Sequence, residues 1–270
     1  MFAVLEIEEY QRGLIKRLQR FFESDEPVMS YCTVKGAVPF ITIRMKAKRS
    51  GINWGEVRNV AGVCSQRLLL SGDIEIPEGH GVVRFKPTVY RAIPLFNSMV
   101  NVMSDLDRIG DLNVTVLDRA GALCDRIDSL LDCARNVTVL TDNIAAYQTA
   151  SKRVMDNLGA ALVIYDYDRP EIADNVVFAD KYDERLEKCK VVFCPEGAEC
   201  ARNVIGAEEI EADEFVCQQK PDFVELFDFV AALYEYNGFK RAAEYGFGRL
   251  IFNGYEIKPE EVGEMIRQAK

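Results

Sequence analysis

From Leu112 onward, short apolar runs alternate with longer segments of mixed polarity. The runs are rich in β-branched residues and do not alternate with polar residues, a pattern typical of parallel strands covered on both faces. The pattern therefore predicts strands at five places: residues 114–117, 137–140, 162–165, 176–178 and 191–193.

The sequence NVTVL occurs twice, at residues 113–117 and 136–140. A strand of about five residues, a helix of about twelve and two short connections fill the distance between the copies, which is the length of one βαβ unit. We therefore expect the copies to be neighbouring parallel strands joined by a right-handed crossover. Apolar residues after the second copy predict a helix that ends at Gly159.

The first hundred residues show a mixed pattern. Apolar positions predict helices over residues 5–22, 54–72 and 94–106. Two β-rich runs around Lys35-Gly36 predict a hairpin. Near the carboxyl terminus, the pattern predicts one helix that ends at Asn237-Gly238 and another that begins near Pro259.

Composition and charge exclude several classes of protein. Hydrophobic residues make up 49% of the 270 residues, yet no apolar run reaches the ~18–20 residues of a membrane-spanning helix. Glu6, Glu8 and Glu9 interrupt the place where a signal peptide would continue its apolar stretch, so we expect a cytoplasmic protein. The net charge of −10 argues against nucleic acid and anionic membranes as partners.

The residues of common catalytic and metal sites do not assemble into a motif. Eight cysteines are spread along the chain without a C-x-x-C pair, so we expect no metal site. The single histidine, His80, lies between glycines and predicts an exposed loop. No G-x-S-x-G elbow or G-x-x-x-x-G-K-[ST] loop is present, and the sequence assigns no catalytic residue. An excess of Lys and Arg over residues 28–91 has no role that the sequence defines.

Part of the chain resembles the dinucleotide-binding Rossmann domain, as found in shikimate-dehydrogenase and related reductase families. The resemblance covers about residues 111–195 and consists of the first NVTVL, the turn DRAGALCD, the second NVTVL with its following TDN, and ALVIYD. It implies a parallel sheet that binds NAD(P) at the carboxyl ends of its strands. The glycine motif of the family would fall near Asp118, Ala120 and Leu123, none of which is glycine.

This resemblance and the strand pattern together predict an α/β fold: a Rossmann-like parallel sheet flanked by helices, preceded by a smaller α+β region. The expected domains are an N-terminal α+β region over residues 1–110 and a Rossmann-like α/β domain with C-terminal helices over residues 111–270.

The candidate ligand-binding residues follow the predicted strands. Asp118 places a negative charge where phosphates would lie, Arg119 could neutralise that charge, and Ala120 and Gly121 could permit a close approach of the backbone. Asp142 lies near the family's position for a carboxylate that binds the ribose hydroxyls, but its structural alternative is strong, since "TDN" is also a good helix N-cap for the residues from Ile144 onward. The full candidate set is Asp118, Arg119, Ala120, Gly121, Asp142, Asn143 and Asp166.

An acidic rim is a further expectation, because Asp118, Asp142, Asp166 and Asp180 each end or follow a predicted strand. In a parallel sheet they would line one edge, which favours a cation, a polyhydroxyl ligand or a magnesium ion. The alternative is that aspartates at these positions cap helix N-termini.

Three functional hypotheses follow. The first is a degenerate Rossmann-like domain that binds a small ligand or a partner without standard dinucleotide chemistry. The second is an NAD(P)-dependent oxidoreductase with an unorthodox phosphate-binding turn, although the glycine motif does not support NAD(P) as cofactor. The third is a non-enzymatic interaction protein that self-associates as a homo-oligomer. The sequence does not decide whether the protein is an enzyme.

Overall fold

The computed structural model describes residues 1–8, 26–34, 39–48, 51–106, 112–169, 171–172, 174–195 and 202–269. The strands are β1 Ala3–Glu8, β2 Val28–Cys32, β3 Phe40–Lys46, β4 Leu68–Leu70, β5 Asn113–Leu117, β6 Asn136–Thr141, β7 Leu162–Asp166, β8 Val176–Ala179, β9 Val191–Phe193, β10 Val204–Ile210, β11 Phe247–Phe252 and β12 Tyr255–Ile257. The α-helices are α1 Trp54–Ala61, α2 Ile93–Ser104, α3 Asp128–Leu131, α4 Ile144–Leu158, α5 Glu214–Gln219, α6 Leu226–Asn237 and α7 Pro259–Gln268.

The chain divides into two compact units that are both discontinuous in sequence. The first unit combines Met1–Pro87 with Ala212–Ala242, and the second combines Thr88–Glu211 with Ala243–Lys270. These segments are not those of the predicted division at residue 110, because a stretch that follows the parallel strands returns to the first unit.

The first unit contains a four-stranded sheet in the order β2-β3-β1-β4. Strand β1 is parallel to β3 and β4, whereas β2 is antiparallel to β3. The antiparallel pairing of β2 and β3 confirms the predicted hairpin strands; residues 35–38 between them lie outside the described residues.

The helix predicted from residue 5 is wrong over its first turn. Residues 3–8 form the central strand β1, in which Leu5 pairs with Ile43 on one side and Leu70 on the other. Leu5 is fully buried, so an apolar run that fits a helical face is used here as a strand covered on both faces. The rest of that prediction, residues 9–22, lies outside the described residues.

The helix predicted over residues 54–72 is also shorter than expected. Helix α1 ends at Ala61 and is followed by a 3₁₀ turn over Gly62–Gln66 and then by strand β4. The three leucines of β4 are buried, and each of them pairs directly with a β1 partner, which outweighs their helix propensity.

Aromatic packing ties the returning segment to the first unit. Phe229 of α6 contacts the rings of Phe2 and Phe40 edge-to-face, with centroid distances of 6.0 and 5.2 Å. Phe2 and Phe40 stack on each other at 5.4 Å, and all three side chains are buried. Helix α6 therefore belongs to the core of the first unit, and it ends at Gly238 as the sequence predicts.

The second unit contains an eight-stranded sheet in the order β12-β11-β10-β9-β8-β5-β6-β7. Strands β5 to β10 are all parallel, and β11 is antiparallel to both β10 and β12. Numbered from β5, the six parallel strands follow the order 3-2-1-4-5-6 of the Rossmann fold. The predicted α/β, Rossmann-like fold is confirmed.

The two NVTVL copies pair in parallel and in register, as predicted. Asn113 lies opposite Asn136, and each following residue meets its own copy up to Leu117 opposite Leu140. The valines of both copies are fully buried, so both positions demand the same β-branched residues.

The helical cover of this sheet is uneven. Helix α4 confirms the predicted crossover, with Asn143 as its N-cap and Gly159 as its left-handed C-cap at φ 65°. The preceding crossover holds only the single turn α3 as α-helix, and the described residues between β7 and β8 contain no helix. Strand β7 ends the sheet with Val163 and Tyr165 exposed.

Candidate functional site

The candidate site lies where β5 and β8 are neighbours. Strands β6 and β7 follow on one side of β5, and the chain then crosses to β8 on the other side of β5. The strand order therefore reverses between β5 and β8, which is the topological switch point at which Rossmann-like sheets bind ligands. Asp180, Asp118, Asp142 and Asp166 lie at the carboxyl ends of β8, β5, β6 and β7, in that spatial order. All four aspartates therefore lie at the carboxyl ends of neighbouring strands, but Asp118 is buried and does not contribute to a solvent-facing acidic rim.

Asp118 does not face solvent. Its side chain has no exposed surface, and its two oxygens accept hydrogen bonds from four donors. The backbone N–H groups of Gly121 and Ala122 each donate to Oδ1 at 3.0 Å. The N–H of Leu123 and the hydroxyl of Tyr147 each donate to Oδ2 at 2.7 Å.

This arrangement changes what the turn after β5 can bind. In dinucleotide-binding domains, the N–H groups of the equivalent turn and helix N-terminus approach the pyrophosphate. Here the Asp118 carboxylate, an anion that belongs to the chain itself, accepts from three of these N–H groups. Asp118 therefore lies behind the turn, on the inner side of the surface that a ligand would meet.

Tyr147 is the buried partner of this carboxylate. It projects from α4 and is fully buried. Burial raises the pKa of the Tyr147 hydroxyl far above its ordinary value, and the adjacent Asp118 charge raises it further. The hydroxyl therefore remains a proton donor and joins α4 to the turn after β5.

Gly121 and Asn143 fix the shape of the turn. Gly121 has φ +80°, and a Cβ at this position would lie 3.0 Å from Nδ2 of Asn143. Asn143 donates from Nδ2 to the carbonyl of Ala120 at 3.0 Å and accepts from the N–H of Ala146 at 3.3 Å. The turn therefore needs a glycine at residue 121 and is joined to the start of α4 by one side chain.

Asp142 has a different role from either expectation. The N-cap of α4 is Asn143, one residue later. Asp142 is exposed, and its Oδ2 lies 3.3 Å from Nε of Arg119. The TDN segment therefore supplies the N-cap of α4 as predicted, through Asn143, whereas Asp142 forms a surface ion pair across the β5–β6 edge.

Arg119 lies at the centre of the exposed surface. Its N–H donates to Asp180 at 2.9 Å, and its guanidinium carbon lies 4.2 Å from the ring centroid of Tyr167. The guanidinium also lies 3.7 Å from Asp168, and the side chain of Arg119 is 57% exposed. Arg119 therefore presents a cation to solvent on an aromatic support.

A second arginine fixes the other side of Tyr167. Arg185 forms a 2.6 Å ion pair with Asp183 and donates to the carbonyls of Tyr167 and Arg169, each at 2.7 Å. Its guanidinium carbon lies 5.2 Å from the centroid of the Tyr167 ring. These contacts hold the segment after β7 against the segment after β8.

Asp180 is the half-buried acid of this region. Burial raises its pKa above the ordinary value, and the nearby Asp118 charge acts in the same direction. The N–H groups of Arg119 and Lys181 and the hydroxyl of Tyr167 oppose that shift by hydrogen bonding.

These side chains surround a cleft of about 640 Å³. Of the predicted site residues, Arg119 lines the cleft, whereas Ala120, Gly121 and Asn143 build the turn beside it. Asp166 ends the edge strand β7, is exposed and does not line the cleft. Seven lining residues were not predicted from the sequence, because they occur in loops without apolar periodicity: Tyr167, Asp168, Lys181, Tyr182, Asp183, Glu184 and Arg185.

The described part of the chain contains no group of three or more His, Cys, Asp or Glu residues placed to hold a metal ion. None of the described helices has the length and apolar character needed to cross a bilayer. His80 is exposed, in the first unit.

Comparisons with known proteins add little to these observations. No protein-family model matches the chain, and no curated protein matches it. Among solved structures, an L-tryptophan dehydrogenase from Nostoc punctiforme is similar with a TM-score of 0.31 and 9% sequence identity, covering 99% of this chain and 78% of that one. A likeness at this TM-score carries no argument, and the Rossmann-like fold rests on the strand order.

Proposed function

We propose that the protein binds a small ligand in the cleft beside β5 and β8, without the chemistry of a bound dinucleotide. The observation that carries this proposal is the Asp118 carboxylate, which accepts from the N–H groups of Gly121, Ala122 and Leu123. A pyrophosphate at the same turn would meet engaged N–H groups and an anion directly behind them. The cleft itself is at the position where this fold places ligands.

The competing function is an NAD(P)-dependent oxidoreductase. The strand order favours it, since that order is shared with the reductase domains that the sequence resembles. Asp142 is exposed and its ion pair with Arg119 is weak, so this carboxylate is compatible with either function. Fold alone does not specify activity, and the engaged N–H groups of the turn favour the small-ligand function.

The test is a binding screen by thermal unfolding and calorimetry. NAD, NADP, ATP and S-adenosylmethionine are compared with a library of small polar compounds. A ligand that binds the folded protein stabilises it by about 2.7 kcal/mol at a hundredfold excess over its Kd. We expect the nucleotides to give no shift and at least one small compound to give a saturable one. Micromolar binding of NADP would refute the proposal in favour of the oxidoreductase.

A variant sharpens the test. Asp118→Gly removes the internal carboxylate and places glycine at the first position of the family motif. We expect it to gain no micromolar nucleotide affinity, because Ala120 and Leu123 still occupy the other two glycine positions. Circular dichroism verifies that the variant is folded before binding is measured.

A further inference from the structure

We propose that the ligand of this cleft is a small carboxylate and that Arg119 and Lys181 bind it. This inference rests on the proposed function and names the chemical class of the ligand. It follows from deciding which of the charged groups around the cleft are already engaged within the chain.

Arg185 is not available to a ligand. Its guanidinium is held by Asp183 at 2.6 Å and by the carbonyls of Tyr167 and Arg169. A ligand that replaced these partners would leave a half-buried carboxylate and two carbonyl groups without their donor. Arg185 therefore shapes the cleft and supports Tyr167.

Arg119 has exchangeable partners. Its carboxylate neighbours, Asp142 and Asp168, lie at 3.3 and 3.7 Å and are 56% and 90% exposed. Ion pairs of this kind are weak, because water solvates both partners well when they separate. The guanidinium is meanwhile supported on the ring of Tyr167. A ligand carboxylate can therefore form a bidentate pair with a cation that is already positioned.

Lys181 supplies a second cation on the same cleft. Its side chain is exposed, and its ammonium has no hydrogen-bond or ion-pair partner among the described residues. It follows Asp180, whose carboxylate is held by the N–H of Arg119. The two cations thus belong to segments that one hydrogen bond joins.

Other ligand classes fit less well. A polyphosphate would meet the exposed acids Asp168 and Glu184 on the lining. A cation would find Asp180 occupied by N–H and O–H donors and, at Asp142, would be repelled by the adjacent guanidinium of Arg119. A single carboxylate needs one guanidinium and one ammonium, which are the two groups that remain.

The experiment is an NMR titration of the full chain with two matched pairs of probes. L-Lactate is compared with 1,2-propanediol, and benzoate with benzamide, so that each pair differs in the carboxylate. We expect at least one carboxylate probe to shift the amide signals of Arg119 and Lys181 along a saturable binding curve. Its neutral partner should bind at least tenfold more weakly. Inorganic phosphate is titrated as the alternative anion.

Variants locate the binding groups. Arg119→Met and Lys181→Met should each weaken the carboxylate probe at least tenfold, whereas Lys152→Met, an exposed lysine on α4, should not change it. The inference is overturned if the neutral partners bind equally well, if phosphate binds as tightly as the carboxylates, or if both cleft variants retain full affinity.

The two proposals fail differently in this experiment. A neutral compound that saturates the cleft while every carboxylate probe fails would overturn the inference and leave the proposed function standing. Saturation by NADP in place of all small probes would overturn both.

Discussion

The hydroxyl of Tyr147 offers a direct test of the internal carboxylate. The change is Tyr147→Phe, which keeps the buried ring and removes one of the four donors to Asp118. The lost bond is 2.7 Å long, and both side chains are fully buried. A hydrogen bond to a charged group contributes about 1.5–3 kcal/mol. Because three N–H donors remain on the carboxylate, we expect a loss of about 2 kcal/mol in the free energy of unfolding.

Removing the carboxylate of Asp118 should lower the free energy of unfolding more than removing the hydroxyl of Tyr147. Asp118→Ala leaves three N–H groups and one hydroxyl without an acceptor in a buried place, and each such group costs about 1–3 kcal/mol. We therefore expect a loss above about 4 kcal/mol, which is exceptional for a single substitution. Asp118→Asn preserves the shape, and combining it with Tyr147→Phe in a double-mutant cycle should give a coupling energy of about 1–2 kcal/mol.

The assay is urea unfolding followed by far-ultraviolet circular dichroism. The matched control is Tyr255→Phe, since Tyr255 is 77% exposed and should respond by less than about 0.5 kcal/mol. Equal unfolding curves for Tyr147→Phe and Tyr255→Phe would refute the assignment of Asp118 as a carboxylate that is held by buried donors.

Three further predictions concern the turn, the half-buried acid and the first unit. Gly121→Ala should lose about 1–3 kcal/mol, because φ is +80° and the new Cβ meets Asn143; Gly72→Ala, which meets nothing within 4 Å, is the control in the same unfolding assay. Burial raises the pKa of Asp180, so the folded protein keeps this proton to higher pH than the unfolded chain, and the stabilising contribution is lost as the pH rises through the folded pKa. Asp180→Asn should therefore gain stability relative to the natural protein as the pH rises above ~4, the ordinary range of an aspartate, and a difference in thermal unfolding that does not vary with pH would contradict this. Phe229→Ala should lose about 3–5 kcal/mol, measured through the fluorescence of Trp54 in the same unit, and an unchanged midpoint would disprove the packing role of α6.

The parallel sheet could be predicted because buried strands select a narrow set of residues. Each predicted strand from β5 to β9 is an unbroken apolar run, and α4 has clear helical spacing with a glycine at its end. Strand β1 could not be told from a helix in this way, because a short apolar run satisfies both periods. The return of α6 to the first unit depends on contacts between residues far apart in sequence, such as Phe40 and Phe229.

The candidate site could be located but not interpreted from sequence. Strand ends indicated Asp118 and Asp142, since carboxyl ends of parallel strands share one edge. Whether Asp118 faces a ligand or turns inward depends on the path of the next five residues and on the hydroxyl of Tyr147, which helical spacing does not distinguish from any other core side chain. Tyr167 and Arg185 lie in irregular segments and act through geometry that no periodicity encodes.

The packing of Phe2, Phe40 and Phe229 has a consequence for folding during protein synthesis, because the core of the first unit needs residues that are far apart in sequence. At about 5–20 residues per second, Phe229 leaves the ribosome roughly 10–40 s after Phe40. Throughout that interval the nascent four-stranded sheet lacks its α6 cover, so Phe2 and Phe40 lack the apolar contact that Phe229 later provides. The hydrogen bond from the amino group of Met1 to the carbonyl of Tyr236, 3.2 Å long, also forms only after α6 has been synthesised. The first unit is thus completed only after the parallel strands of the second unit have been synthesised.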